Sequence, residues 1–152
     1  MDIKVLLEND KERKEYEDAH GLSLYIEALG RKILFDFGPG EEFMRNARKM
    51  DIKIDEIDFA VLSHGHIDHG GGLPYFLDEN KKAPVYIHPK ALEPHYSRRE
   101  DGIMNDIGLP ESIKNSKRIV FKQGINWIDD NMALISYLHE EMMIPPGNET
   151  LY

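Results

Sequence analysis

Ile57-Asp58-Phe59-Ala60-Val61-Leu62-Ser63-His64-Gly65-His66-Ile67-Asp68-His69-Gly70-Gly71-Gly72 decides the reading of this chain. Ile57 to Leu62 is short and almost wholly apolar, the pattern of a strand buried on both faces. It runs directly into three imidazoles and a carboxylate within six residues. A turn at the end of a buried strand can aim such closely spaced side chains at one point, and the glycines permit the tight or positive-φ backbone such a turn demands. His64, His66, Asp68 and His69 are therefore candidate metal ligands. A surface histidine cluster without any ligand role is the plainer alternative, and it explains a His-x-His-x-Asp-His run behind an apolar strand poorly. Imidazole and carboxylate suit zinc, iron or manganese. Four ligands so crowded exceed what one mononuclear catalytic site takes from one loop, so two neighbouring ions explain the density better.

Upstream of this stretch, Ile3 to Leu7 reads as a strand, and the charged run Glu8 to Asp18 as a solvated loop. Ser23 to Leu29 and Lys32 to Phe37 form an expected β-hairpin about a turn at Gly30-Arg31. After the break at Gly38-Pro39-Gly40, Phe43, Met44, Ala47 and Met50 recur at helical spacing. The basic Arg45, Arg48 and Lys49 lie toward the end of that helix, where they suit its dipole. Downstream, Leu73 to Leu77 is an expected short helix, and Pro84 to His88 an expected strand stopped by Pro89. Lys90 to Lys117 has no clear period and reads as loops and short helices. Arg118 to Lys122 and Met132 to Leu138 are two further strand candidates. Strands interleaved with helices predict an α/β or α+β layered domain.

The 152 residues fit one domain spanning 1–152. Asp and Glu number 28 against 19 Lys and Arg, a formal charge of −9. An acidic protein gains nothing electrostatically from nucleic acid or an anionic membrane, so neither is an expected partner. No run approaches the roughly 18 apolar residues of a membrane span. The first residues lack a basic lead and a small-residue cleavage site, which makes a cytoplasmic protein the expectation. There is no cysteine, so disulfides, thiolate metal sites and a cysteine nucleophile are excluded.

Ser63-His64-Gly65-His66-Ile67-Asp68-His69-Gly70-Gly71 resembles the signature of the metallo-β-lactamase superfamily, in the form carried by its metal-dependent hydrolases. Leu34-Phe35-Asp36-Phe37-Gly38, Asn46-Ala47 and Ile57 to Leu62 fit the same family. His20-Gly21-Leu22-Ser23 together with Ser-His-Gly-His resembles the subgroup labelled dihydropterin synthase-like. The resemblance implies a four-layer αββα sandwich built from two similar halves. It also implies that His64 and His66 hold a first metal, and Asp68 with His69 a second. Asp68 would in addition orient the attacking water and relay its proton. Zinc is the expected cofactor, with two ions in a complete site and iron or manganese as alternatives. Asp36 would either hold a ligating imidazole from behind or act as a structural cap.

In that family further ligands come from the second half, and this chain reaches Tyr152 where a second half should begin. The expectation is therefore a sandwich truncated at its C-terminus. The other histidines do not obviously fill the gap. His88 reads as structural or rim-lining and His95 as exposed. His139-Glu140 lacks the second histidine of a His-Glu-x-x-His zinc helix, because Met143 stands there. His139 remains a minor ligand candidate, and His20 could fold over the site.

The expected function is a hydrolase acting on an ester, amide, thioester or phosphoester of a small molecule. The alternative is a catalytically incomplete half-domain that serves as a metal-binding or assembly module. A half sandwich leaves one sheet face uncovered, so pairing with a second copy or with a complementary second half is also expected. A flavodiiron-type oxidoreductase ranks below the hydrolase.

Overall fold

The computed structural model describes residues 1–10, 13–136 and 148–152. Strands β1 (Asp2–Leu7), β2 (Ser23–Ala28) and β3 (Arg31–Phe35) form an antiparallel meander. Helix α1 (Glu42–Lys49) then crosses to β4 (Phe59–Val61), and helices α2 (Ile67–Gly70) and α3 (Leu73–Glu79) cross to β5 (Val85–Ile87). Strands β6 (Tyr96–Arg98) and β7 (Met104–Asp106) pair as a separate hairpin. Strand β8 (Ile119–Phe121) rejoins the main sheet, and β9 (Gly124–Asp129) with β10 (Met132–Ser136) makes a last hairpin. The main sheet runs β1-β2-β3-β4-β5-β8 and is parallel from β3 onward. The α/β expectation holds, with a mixed sheet flanked by helices.

Directly opposed residues share a face of a sheet, so the register separates two surfaces. On one lie Tyr25, Leu34, Ala60, Val85 and Ile87, all buried against Phe37, Phe43, Met44, Leu73 and Phe76 in the main core. Phe37 is fully buried, with its ring centroid 6.3 Å from that of Phe43 and 5.4 Å from that of Phe76. The other face carries Ile26, Ile33, Phe35, Phe59, Val61 and Tyr86. The β9–β10 hairpin approaches that second face, enclosing a cavity of about 380 Å³ whose walls include Phe35, Val61, Tyr86 and Leu134.

Several expectations are corrected in detail. The first hairpin turns at Leu29-Gly30, one residue earlier than expected, with Ala28 paired to Arg31. Both turn residues have positive φ, 52° and 73°, the conformation whose twist suits a two-residue hairpin. Leu29 is 66% exposed and bears the left-handed strain without any burial to offset it. Leu29→Asn is therefore expected to stabilise the chain by about 1 kcal/mol, raising the thermal midpoint by about 3 °C without altering secondary structure by circular dichroism.

Of Ile57 to Leu62, only Phe59–Val61 is strand, and Val61 is half-buried. The charged run is a loop, but Glu17 is anchored. Its carboxylate accepts from Arg45, and the buried Asn46 side chain bonds the backbone of Leu6 and Glu17. The β6–β7 hairpin lies in Lys90 to Lys117, expected to hold only loops and short helices, whereas β10 falls within the expected strand Met132 to Leu138 and β9 precedes it as an unexpected partner. Tyr137 and Leu138, the end of the expected last strand, lie outside the described residues. Among the described residues no helix is long and apolar enough to cross a membrane.

Candidate metal centre

The histidine loop leaves the sheet at the carboxyl end of β4, a central parallel strand, which is where open α/β sheets place their ligands. Backbone bonds fix both arms of the loop. Asp36 N–H donates to Val61 O at 2.9 Å, Phe37 N–H to His69 O at 2.7 Å, and Ile67 N–H to Ile107 O at 2.8 Å. The loop glycines do not serve positive φ, as the sequence reading allowed. Gly71 and Gly72 are right-handed, with φ of −62° and −77°, and neither Gly65 nor Gly70 has positive φ. They serve close approach instead. A Cβ on Gly71 would lie 2.2 Å from Pro39 O, and one on Gly72 2.2 Å from Phe37 O.

Asp36 organises the cluster. It is fully buried, left-handed at φ 59°, and lies directly behind the loop. One carboxylate oxygen accepts from Ser63 N–H at 2.7 Å. The other accepts from the Ser63 hydroxyl at 2.7 Å and faces His69 Nδ1 at 2.7 Å. A carboxylate can only accept, so His69 carries its proton on Nδ1 and leaves Nε2 with a free lone pair. The Ser63 hydroxyl gives its proton to Asp36, so toward His64 Nδ1, 2.9 Å away, it can only accept. His64 is thereby also held as the tautomer with Nε2 free. Carboxylate–imidazole arrangements of this kind orient metal-ligating histidines. Of the two readings of Asp36, the structure favours the one in which it holds an imidazole.

The four expected ligands lie near one another as a chain of pairwise neighbours. Ring centroids of His64 lie 4.5 Å from those of His66 and 4.2 Å from those of His69. Asp68 Oδ2 stands 3.4 Å from His69 Nε2. Burial, reinforced by the neighbouring His69 and His66, pushes the His64 pKa down to about 4. Burial also lowers that of His66, with His95 adding to the effect. The hydrogen bond to Asp36 raises that of His69. Neutral imidazoles with outward lone pairs suit a cation in kind. Among the described residues, however, no three His, Asp or Glu side chains converge closely enough to enclose one as they stand. The donors meet in pairs.

Of the remaining described histidines, His95 alone departs from expectation. His20 does fold over the loop, with Nε2 3.5 Å from Asp68 Oδ2, although its side chain is 83% exposed. Gly21 makes this contact possible, because a Cβ there would sit 2.0 Å from Asp68 O. His95 is not simply exposed. It is half-buried, its Nδ1–H donates to Glu93 O at 2.7 Å, and its ring lies 5.3 Å from that of His66. No spacing pattern in the sequence signals that neighbour. His88 lines the rim, as expected, and caps the 3₁₀ turn Pro89–Leu92 by accepting from Lys90 N–H. His139 lies outside the described residues.

Residues 17–139 match the family model described as the metallo-beta-lactamase superfamily. The crystal structure of Tm1679, a metal-dependent hydrolase of the beta-lactamase superfamily, superposes with a TM-score of 0.69 at 30% identity. That match covers 88% of this chain and 46% of the other. The 7,8-dihydropterin-6-methyl-4-(beta-D-ribofuranosyl)-aminobenzene-5'-phosphate synthase of Methanocaldococcus jannaschii is 31% identical over 72% of this chain and 38% of its own length. Ribonuclease Z of Nanoarchaeum equitans is 31% identical over 61% of this chain and 30% of its own. The chain thus spans less than half the length of each of these relatives.

Proposed function

The chain belongs to the metallo-β-lactamase superfamily, and from that premise we propose that it is a metal-dependent hydrolase of a small molecule with an ester, amide, thioester or phosphoester bond. The observation that carries this reading is the buried Asp36 anchor, which fixes His64 and His69 as tautomers with Nε2 free beside Asp68. His64 with His66, and Asp68 with His69, would hold two cations, zinc first and iron or manganese suiting the same donors. The pairwise arrangement leaves further coordination positions to other donors. A cation held there would supply Lewis-acid polarisation of the substrate oxygen and a lowered pKa for a water molecule.

The chain's own groups do the rest. Asp68 orients the attacking water and takes its proton. Asp36 keeps the His69 ring from turning. The cavity of about 300 Å³ beside His64 receives the substrate. The curated relatives named above carry different reactions, so the substrate does not transfer from them to this chain.

Protons compete with cations for the same lone pairs. His69, with its raised pKa, is blocked first as the pH falls, whereas His64 stays neutral down to about 4. Metal uptake is thus expected to weaken on acidification, beginning at the Asp68–His69 pair.

The test is metal content by mass spectrometry after purification without chelator, measured together with solution mass. At least about one equivalent per chain is expected, and less than about 0.1 would remove the reading. Turnover on an ester and phosphodiester panel, abolished in Asp68→Ala, distinguishes the hydrolase from a metal-binding module without activity.

A second reading concerns assembly. Ile125, Trp127 and Ile135 are 62%, 69% and 59% exposed, and the hairpin register places Ile125 opposite Ile135 on one face. Exposed apolar stripes favour an interface, here with a second copy or a complementary second half. A mass equal to one chain at micromolar concentration would remove this second reading.

A further inference from the structure

The cavity beside His64 continues past His88 into the cavity between the sheet and the β9–β10 hairpin. Ser63, His88 and Ser136 line both lobes. Within a chain of formal charge −9, this cleft has an opposite character. Among largely apolar walls, the charged or titratable side chains lining its two lobes are Lys90, Lys122, three histidines and the Tyr86 phenol, and among the described residues no carboxylate. Neither lysine pairs with an acidic side chain among the described residues. The Lys122 ammonium instead lies 5.7 Å over the Tyr86 ring.

His88 adds a buried donor. Its Nδ1 accepts from Lys90 N–H at 3.2 Å, so the neutral ring carries its proton on Nε2. That Nε2 is buried and has no hydrogen-bond partner among the described residues. A buried donor left unpaired is destabilising unless something else accepts from it. The Ser136 hydroxyl accepts from Gly124 N–H and keeps its own proton available to donate.

We propose that this cleft seats an anionic group of the substrate, a phosphate or a carboxylate, with His88 Nε2–H as its fixed donor and Lys90 and Lys122 as its counter-charges. A protein with net negative charge repels an anion at a distance, so binding one requires a local cationic pocket of this kind. His88 is then a specificity residue, because it distinguishes substrates that carry an acceptor able to reach it from those without one. The link from anion to substrate rests on the hydrolase reading, whereas anion binding itself does not.

The test titrates the full chain, stripped of metal with chelator at pH 8, with inorganic phosphate and separately with acetate. Side-chain ¹H–¹⁵N signals of His88 provide the readout. At least one anion is expected to shift them saturably, and the tighter of the two identifies the group. His88→Leu is expected to weaken binding by about tenfold, while His88→Gln, which keeps an N–H near the same place, stays within about threefold. Lys90→Ala with Lys122→Ala is expected to weaken it by about tenfold. If neither anion moves the His88 signals, or if His88→Leu binds both as well as the parent chain does, the assignment is wrong. Zinc content of His88→Leu is expected to match the parent. Missing anion binding with zinc retained thus counts against the cleft alone, and missing zinc with anion binding retained counts against the hydrolase reading alone.

Discussion

Asp36→Ala is expected to destabilise the chain by about 3–5 kcal/mol and to weaken zinc binding by about 10–100-fold. The side chain is fully buried and is the acceptor for three donors: Ser63 N–H, the Ser63 hydroxyl and His69 Nδ1–H. Truncation leaves a void behind the loop and removes three hydrogen bonds to a charged acceptor, each worth about 1.5–3 kcal/mol, of which water restores part at the exposed Ser63. The same change frees His69 to rotate or to adopt its other tautomer, and it releases the Ser63 hydroxyl that fixes His64. Asp36→Asn separates the two effects. It fills the space and tolerates the left-handed backbone at φ 59°, but it offers one acceptor oxygen where the carboxylate offers two. It should retain more stability than the alanine variant while still losing zinc affinity. Urea denaturation and zinc titration read the two quantities independently. An alanine variant within about 1 kcal/mol of the parent would mean that Asp36 does not anchor the loop.

Gly72→Ala should cost about 3 kcal/mol, the upper end of what overpacking usually costs. The added Cβ would stand 2.2 Å from Phe37 O, 2.6 Å from Gly40 O and 2.9 Å from Phe43 Cε1. Two of these neighbours are backbone oxygens, which no rotamer change can move. Relief therefore requires α3 to shift away from Phe37 and Phe43, loosening the aromatic cluster of the core. It also disturbs the segment in which Phe37 N–H donates to His69 O. Gly30→Ala is the control. Nothing lies within 4 Å of its Cβ position, and it should cost only about 1 kcal/mol of left-handed strain. Comparing urea midpoints decides the point. Equal losses in the two variants would show that the loop glycines are conformational rather than steric.

Much of the fold was legible because its signals are local. Ile3 to Leu7, the Leu24–Phe35 hairpin and helix α1 each follow from apolar periodicity within a single segment. Helix α1 buries Phe43, Met44, Asn46 and Ala47 on one side. The β6–β7 hairpin and strand β9 were not legible, whereas β10 lies within the expected strand Met132 to Leu138. Strand β6 has only three residues, with an exposed–intermediate–exposed pattern, so tertiary placement rather than alternation makes it a strand. The turn position of the first hairpin also escaped, because Leu29 has no intrinsic preference for φ 52°. Cross-strand register imposes it.

The proximity of His64, His66, Asp68 and His69 could be read from order along the chain alone, since a strand followed by a tight turn must keep near neighbours near one another. What they touch was decided only by the folded chain. Asp36 and Ser63 lie 27 residues apart yet meet at 2.7 Å. His20 reaches Asp68 across 48 residues, and His95 reaches His66 across 29. Adjacent parallel strands end side by side on the same edge of the sheet, and no one-dimensional pattern records which side chains that edge gathers. Residue types along the loop therefore set the chemistry that is available, while the joining of β3, β4 and β5 in one sheet selects the tautomer, the charge and the cleft with which that chemistry works.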